Sequence, residues 1–103
     1  MIKKEDYKMI NNNKLKPIIK RAFCGSLNSS DCLITIEPNL SDIIQIIIQS
    51  PFEKQFGEQM RTLTLEILKE NNVTSCKLLI QDQGALEIVL KSRILVALER
   101  ART

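Results

Sequence analysis

Two adjacent serines, Ser29 and Ser30, are the residues of this chain best suited to chemistry. They lie within residues 25–31, Gly-Ser-Leu-Asn-Ser-Ser-Asp, between two segments whose apolar residues alternate as in β-strands. Small and polar residues in such a place are typical of a hairpin turn. A hydroxyl on this tip would be open to a modifying enzyme, and Asp31 could order the tip or accept the hydroxyl proton. Because most such segments only turn the chain, the residues alone predict a turn with an accessible serine.

The remaining inventory of reactive side chains argues against catalysis. The chain contains no histidine, which excludes Ser-His and Cys-His pairs and every zinc site that uses histidine. Its three cysteines (Cys24, Cys32 and Cys76) show no metal-binding spacing such as C-x-x-C. Cys24 and Cys32 are equally far from Asn28 and could face each other across the hairpin, which would allow a disulfide. A reducing cytoplasm favours two buried thiols instead. We therefore expect a protein that is not itself a catalyst and holds no metal.

The distribution of charge argues against a nucleic-acid partner. The chain has 15 basic and 12 acidic residues, and residues 1–21 hold seven of the former and two of the latter. The other eight basic and ten acidic residues leave the body slightly acidic, and the chain has no Trp and one Tyr. Nucleic-acid surfaces usually combine a basic face with aromatic side chains. The sequence also lacks a signal peptide and any apolar run of about 18 residues, so we expect a cytoplasmic protein with no membrane partner.

The elements that must position the two serines follow from hydrophobic periodicity. Residues 1–17 are rich in Lys and Asn and predict a basic, flexible extension, followed by one domain over residues 18–103. Strands are predicted over residues 18–27, 32–37, 43–49 and 73–81. One helix is predicted to begin with a capping box, with Ser50 at the N-cap and Glu53 at N3, and another to span residues 85–102. Their apolar stripes are Phe56, Met60, Leu63 and Ile67 in the first helix, and Leu86, Leu90, Ile94 and Ala97 in the second.

This order, β-β-β-α-β-α, predicts an α+β fold with a mostly antiparallel four-stranded sheet and two helices packed on one face. Ile43 and Ile47 leave the second face of the sheet only partly polar, which suggests that a partner or another element covers it. Gly57 lies inside the first helix, where glycine costs roughly 1 kcal/mol relative to alanine. We expect Gly57 to mark a close approach of the helix to the sheet.

Several segments resemble the citrate lyase acyl carrier proteins, the γ subunits of that enzyme. Residues 25–31 and the strand that follows are similar to the modification segment of this family. The resemblance continues in Glu-Lys-Gln-Phe-Gly at 53–57, Arg-Thr at 61–62, Asp-Gln-Gly-Ala-Leu at 82–86 and Lys-Ser-Arg at 91–93. It covers about residues 22–102. The run at 53–57 favours citrate lyase over the related malonate decarboxylase carrier subunit, which shares the serine-containing tip.

The resemblance implies that Ser29 carries a covalently attached phosphoribosyl-dephospho-coenzyme A through a phosphodiester bond. Gly25 and Asp31 would support the geometry of the tip. The family usually has glycine after the modified serine, where this chain has Ser30, so two neighbouring hydroxyls are candidates. Position relative to Gly25 and Asp31 favours Ser29. Serine adopts a positive φ reluctantly, so the local turn could differ from that of the family.

The function implied by the resemblance is that of a non-catalytic carrier subunit. Its arm would hold acetyl and citryl thioesters while the citrate lyase complex cleaves citrate to oxaloacetate and acetate. The implied partners are the α and β subunits, the holo-citrate lyase transferase that attaches the arm, and the acetate ligase that loads it. Two alternatives stay open: the carrier subunit of a malonate decarboxylase-type complex, and a small protein-interaction module without a prosthetic group.

Overall fold

A computed structural model describes residues 16–103, so the predicted extension over residues 1–17 lies almost entirely outside the described part. The elements are β1 (Ala22–Gly25), β2 (Cys32–Glu37), β3 (Ile44–Gln49), α1 (Glu53–Glu70), β4 (Cys76–Asp82) and α2 (Glu87–Arg102). Their order confirms the predicted β-β-β-α-β-α succession. The first strand is shorter than predicted, because regular pairing begins only at Ala22.

The four strands form one sheet in the order β1-β2-β4-β3. β2 pairs antiparallel with both β1 and β4, whereas β3 and β4 run parallel. The sheet is therefore mostly antiparallel, as predicted, but mixed. Its parallel pair follows from the connection, because α1 joins β3 to β4 and provides the crossover that parallel strands need.

Both helices pack on one face of the sheet, and the core lies between the helices and that face. The buried apolar residues of the strands are Ala22, Cys24, Cys32, Ile34, Ile36, Ile46, Ile48, Cys76, Leu78 and Ile80. Those of the helices are Ile67, Leu68, Leu90, Ile94, Ala97, Leu98 and Ala101. On the opposite face, Phe23 and Ile47 are 46% and 48% exposed. No element within residues 16–103 covers that face, so the cover expected over Ile47 is not part of the described chain.

Each edge strand of the sheet is hydrogen-bonded to an arginine from one of the helices. Arg100 Nη1 on α2 donates a hydrogen bond to Phe23 O on β1 at 2.7 Å, and Arg61 Nη1 on α1 donates to Ile46 O on β3 at 2.9 Å. Both carbonyls belong to edge strands, where unpaired backbone groups can recruit another chain. The two arginines satisfy these groups and tie each helix to the nearest edge strand.

The start of α1 differs from the predicted capping box. The regular helix begins at Glu53, and Phe52 occupies the N-cap position without a side-chain cap. The Ser50 hydroxyl accepts a hydrogen bond from Phe52 N at 3.0 Å and donates one to Asp82 Oδ2 at 2.7 Å. Ser50 therefore links the ends of β3 and β4. The expectation for Gly57 is wrong, since a Cβ there would meet only the Glu53 side chain, at 3.1 Å from Cγ.

Only the later parts of the two predicted apolar stripes are buried. Ile67 of α1 and Ile94 of α2 are 2% and 0% exposed, whereas Phe56 and Leu86 are 50% and 70% exposed. The first residues of both predicted stripes are therefore open to solvent, and Leu86 lies just before α2, which begins two residues later than predicted. Within residues 16–103, neither helix is both long and apolar enough to cross a membrane.

Candidate functional site

Ser29 lies at the apex of the β1–β2 hairpin. Gly25 pairs with Leu33 and Cys24 with Ile34, so the hairpin is centred on position 29. Ser29 and Ser30 are both exposed, and neither hydroxyl has a hydrogen-bond partner in the part of the chain that the structure describes. An accessible hydroxyl with no competing hydrogen bond can be reached by another enzyme from several directions.

The same register corrects the predicted relation between two cysteines. A hairpin centred on Asn28 would place Cys24 opposite Cys32, but Cys24 lies opposite Ile34, so the two cysteines occupy diagonal positions. All three cysteines are free and buried. Burial raises the pKa of Cys32 to about 12 and that of Cys76 to about 11. Because the thiolate is the reactive form, these two side chains are chemically inert at neutral pH.

Gly25 is required by the path of the backbone into the tip. Its φ is +108°, and a Cβ at this position would lie 1.8 Å from Cys32 O. The same carbonyl accepts a hydrogen bond from Ser26 N at 3.1 Å, which closes the last rung of the hairpin before the turn. Only glycine leaves room for this approach of the two backbones.

Ser29 and Ser30 are the two central residues of a β-turn. Asp31 N donates to Asn28 O at 3.1 Å, and Ser30, the third residue of the turn, has a φ of 65°. Glycine is preferred at a third position with positive φ. Serine therefore adopts here the left-handed conformation that glycine would adopt more easily, and the turn keeps this shape with serine in place.

Two backbone hydrogen bonds attach the tip to the loop that follows β4. Ser30 N donates to Gln83 O at 2.8 Å, and Gln83 N donates to Asp31 O at 2.9 Å. Asp82, the residue before Gln83, is buried and accepts hydrogen bonds from Ser50 Oγ at 2.7 Å and Ala85 N at 2.9 Å. The loop against which the tip rests is thus itself held in place.

Asp31 orders the tip with both of its carboxylate oxygens. Oδ2 accepts from Ser26 Oγ at 2.7 Å, and Oδ1 accepts from Cys32 N at 2.7 Å. Arg93 of α2 donates from Nε to Oδ1 at 3.1 Å and from Nη2 to Oδ2 at 3.3 Å. The hydrogen bonds from Ser26 and Arg93 lower the pKa of Asp31 to about 2. A carboxylate of such low pKa is a weak base, so the geometry supports ordering of the tip over proton acceptance.

Sequence reasoning did not find Arg93 as a partner of Asp31. The two residues are 62 positions apart, and no local pattern relates them. The available signal was the Lys-Ser-Arg run at 91–93, whose arginine the structure brings to the tip. Gln83 was likewise part of a recognisable run, and its contact is made by backbone atoms, which the residue type does not reveal.

An open groove of about 870 Å³ lies between α1 and the start of α2. Its apolar walls are formed by Phe52, Phe56, Met60, Leu63, Leu86 and Leu90. Asp82, Gly84 and Ala85 also line it, and Gln83, which lies among them in the chain, is hydrogen-bonded to the tip. A Cβ on Gly84 would lie 3.3 Å from the Phe52 ring, so the loop and the aromatic wall are in close contact.

Comparison with known proteins relates the chain to acyl carrier proteins. A family model described as "ACP: Malonate decarboxylase delta subunit (MdcD)" matches residues 19–101. Over 84 residues the chain is 40% identical to the citrate lyase acyl carrier protein of Clostridium perfringens, covering 82% of this chain and 83% of the relative. It is 42% identical to that of Yersinia enterocolitica over the same share of this chain, 82%, and 87% of the relative.

A solved structure has a similar fold. One chain of the Pseudomonas malonate decarboxylase hetero-tetramer in complex with malonate superposes with a TM-score of 0.69 and 22% identity, covering 84% of this chain and 88% of that one. At this identity the likeness concerns the fold alone. The family match and the curated relatives go further: this chain belongs to the family of citrate lyase acyl carrier proteins, whose members are carriers of acyl groups.

Proposed function

We propose that this protein is the acyl carrier subunit of a citrate lyase complex, with phosphoribosyl-dephospho-coenzyme A attached at Ser29. The observation that carries the proposal is the Ser29 hydroxyl, which is exposed at the apex of a braced hairpin and has no hydrogen bond to any residue in 16–103. Relatives of about 40% identity that are named citrate lyase acyl carrier proteins support the choice of complex. The chain would serve as a carrier and leave catalysis to its partners.

The residues of the tip fit an attached arm. Ser29 would hold it through a phosphodiester bond at Oγ, and the arm would supply a thiol that carries acetyl and citryl groups as thioesters. Asp31 is already engaged by Ser26 and Arg93, so the transferase must take the serine proton. Gly25 and the bonds to Gln83 keep the attachment point in one place. A tethered thiol meets each partner at an effective concentration on the order of millimolar.

Two features favour Ser29 over Ser30 as the point of attachment. Ser29 is the second residue of the turn and the centre of the hairpin, and within residues 16–103 its backbone amide donates no hydrogen bond to the loop at Gln83. Ser30 is fixed by its amide bond to Gln83 O and by its positive φ. A transferase therefore has the freer approach to Ser29.

The assignment is tested by treating the apo-protein and two variants, Ser29→Ala and Ser30→Ala, with the holo-citrate lyase transferase. We expect Ser30→Ala to gain the mass of the arm and Ser29→Ala to gain nothing. Both variants should keep the circular dichroism of the wild type, since exposed substitutions usually change stability by less than about 0.5 kcal/mol. Modification of Ser29→Ala together with loss of modification in Ser30→Ala would move the site to Ser30.

The proposed partners are the α and β subunits, the transferase and the acetate ligase that loads the arm, all within the cytoplasm. A malonate decarboxylase-type complex is the second candidate, because the matching family model and the similar solved structure both bear that name. Reconstitution decides between them. The holo-protein should restore citrate cleavage to citrate lyase α and β subunits, and it should not restore malonate decarboxylation to a complex that lacks its own carrier.

A further inference from the structure

The groove between α1 and α2 has the size and lining of a ligand site. Its volume of about 870 Å³ lies within the range of about 300–1,000 Å³ that is usual for small-molecule pockets. Phe56 on α1 and Leu86, the N-cap residue of α2, are 50% and 70% exposed, although the sequence places both in predicted apolar stripes. Gln59 and Thr62 add uncharged polar groups to the lining. Nothing else in residues 16–103 fills it.

The position of the groove points to its occupant. Gln83 exchanges backbone hydrogen bonds with Ser30 and Asp31, and its two neighbours in the chain, Asp82 and Gly84, line the groove. The loop that is hydrogen-bonded to the tip therefore also lines the groove. A long flexible arm that starts at Ser29 lies within one loop of this apolar groove, and the tether supplies the arm at an effective concentration on the order of millimolar.

The charge of the groove selects one part of such an arm. All charged residues that line it are acidic, namely Asp82, Glu58, Glu66 and Glu87, and none of the lining residues is Lys or Arg. Like charges repel the phosphate groups of the arm. The far portion of the arm, pantetheine, is uncharged and combines amide groups with apolar carbons and a terminal thiol. It matches a groove with apolar walls and uncharged polar side chains.

We infer that the groove between α1 and α2 holds the pantetheine portion of the arm whenever no partner enzyme has taken the thiol. The inference rests on the proposed attachment at Ser29. In this state the groove shields the thiol from solvent and covers Phe56 and Leu86. Engagement by a partner would draw the arm out of the groove.

Thiol reactivity tests the inference on the intact holo-protein. The rate of alkylation by iodoacetamide is measured for the arm and for free pantetheine at the same pH. The cysteines of the chain do not interfere because all three are buried. A site whose dissociation constant is at or below the millimolar effective concentration is at least half filled, so the arm should react at least about twofold more slowly than free pantetheine.

Two groove variants and one matched control locate the protection. Leu86→Ser and Phe56→Ala remove apolar wall, and both should raise the alkylation rate to that of free pantetheine. Ile88→Ser is the control, because Ile88 lies in the first turn of α2, is 74% exposed and does not line the groove. The control should keep the protection of the wild type. In parallel, the amide NMR signals of Gln59 and Thr62 should shift between apo- and holo-protein.

The possible results separate this inference from the proposed function. Intact mass is taken first. An attached arm that reacts as fast as free pantetheine, or whose protection is the same in Leu86→Ser, overturns the groove as its resting place and leaves the carrier role standing. Shifts of Gln59 and Thr62 that occur only when partner subunits are added also overturn it, in favour of a protein-docking groove. A chain that the transferase cannot modify at all removes both proposals together.

Discussion

Replacing Gly25 by alanine should destabilise the protein strongly, although the position is exposed. The new Cβ would lie 1.8 Å from Cys32 O, which is backbone and cannot rotate away, and the residue would have to keep a φ of +108°. Strain of this kind costs about 1–3 kcal/mol. Displacement of the carbonyl also weakens the hydrogen bond from Ser26 N, worth about 1 kcal/mol. We therefore expect the free energy of unfolding to fall by about 2–4 kcal/mol.

Gly57→Ala is the matched control, because it makes the same chemical change at a position where we expect the stability to stay the same or to rise. Gly57 lies inside α1, and an added Cβ would meet only the flexible Glu53 side chain, at 3.1 Å from Cγ. Alanine is better than glycine within a helix by about 0.8–1.0 kcal/mol. This variant should therefore be as stable as the wild type or more stable.

Urea denaturation of the apo-protein measures both effects. The midpoint should fall for Gly25→Ala and should be unchanged or higher for Gly57→Ala, with a similar m-value in all three proteins. A Gly25→Ala protein within about 0.5 kcal/mol of the wild type, below the loss expected from strain, would refute the account of the hairpin entry.

Three further predictions concern the tip and the core. Ser30→Gly should stabilise the protein by up to about 1 kcal/mol in urea denaturation, because serine has a φ of 65° there; a destabilised variant would contradict this. Asp31 has a folded pKa of about 2, below its unfolded value of about 3.9, so its stabilising contribution is complete above that value and is lost as the pH falls towards 2. Between about pH 4 and pH 2 the free energy of unfolding should therefore fall less steeply in Asp31→Asn than in the wild type. The same pH dependence in both proteins would contradict the role of Ser26 and Arg93. Cys32 and Cys76 should resist alkylation at pH 8 until the protein unfolds, since burial raises the pKa of both thiols, and mass spectrometry of the native protein checks this.

The sequence predicted the elements and the faces of the sheet because both depend on local periodicity. Cys32, Ile34 and Ile36 alternate in β2 and all three are buried, as expected. Periodicity carries no information about which strands are neighbours. The position of β4 between β2 and β3, and the parallel pairing that results, depend on how α1 crosses the sheet.

The candidate site was predictable only where its parts are close in the sequence. The tip and its exposed serines were found from residues 25–31 alone. The partnership of Asp31 with Arg93 and the loop at Gln83 arises from contacts between distant segments, which residue types do not encode. The groove was missed for a related reason: the stripes that contain Phe56 and Leu86 predict burial, and only the packing of the helices leaves these side chains open.

The central claim concerns a covalent group on Ser29, and the mass of the protein purified from its native source tests it most directly. Peptide fragmentation then assigns any added mass to a residue. We predict an increment equal to phosphoribosyl-dephospho-coenzyme A, located on Ser29. An unmodified chain that stays unmodified when the transferase is supplied would contradict the account and favour a protein-interaction module without a prosthetic group.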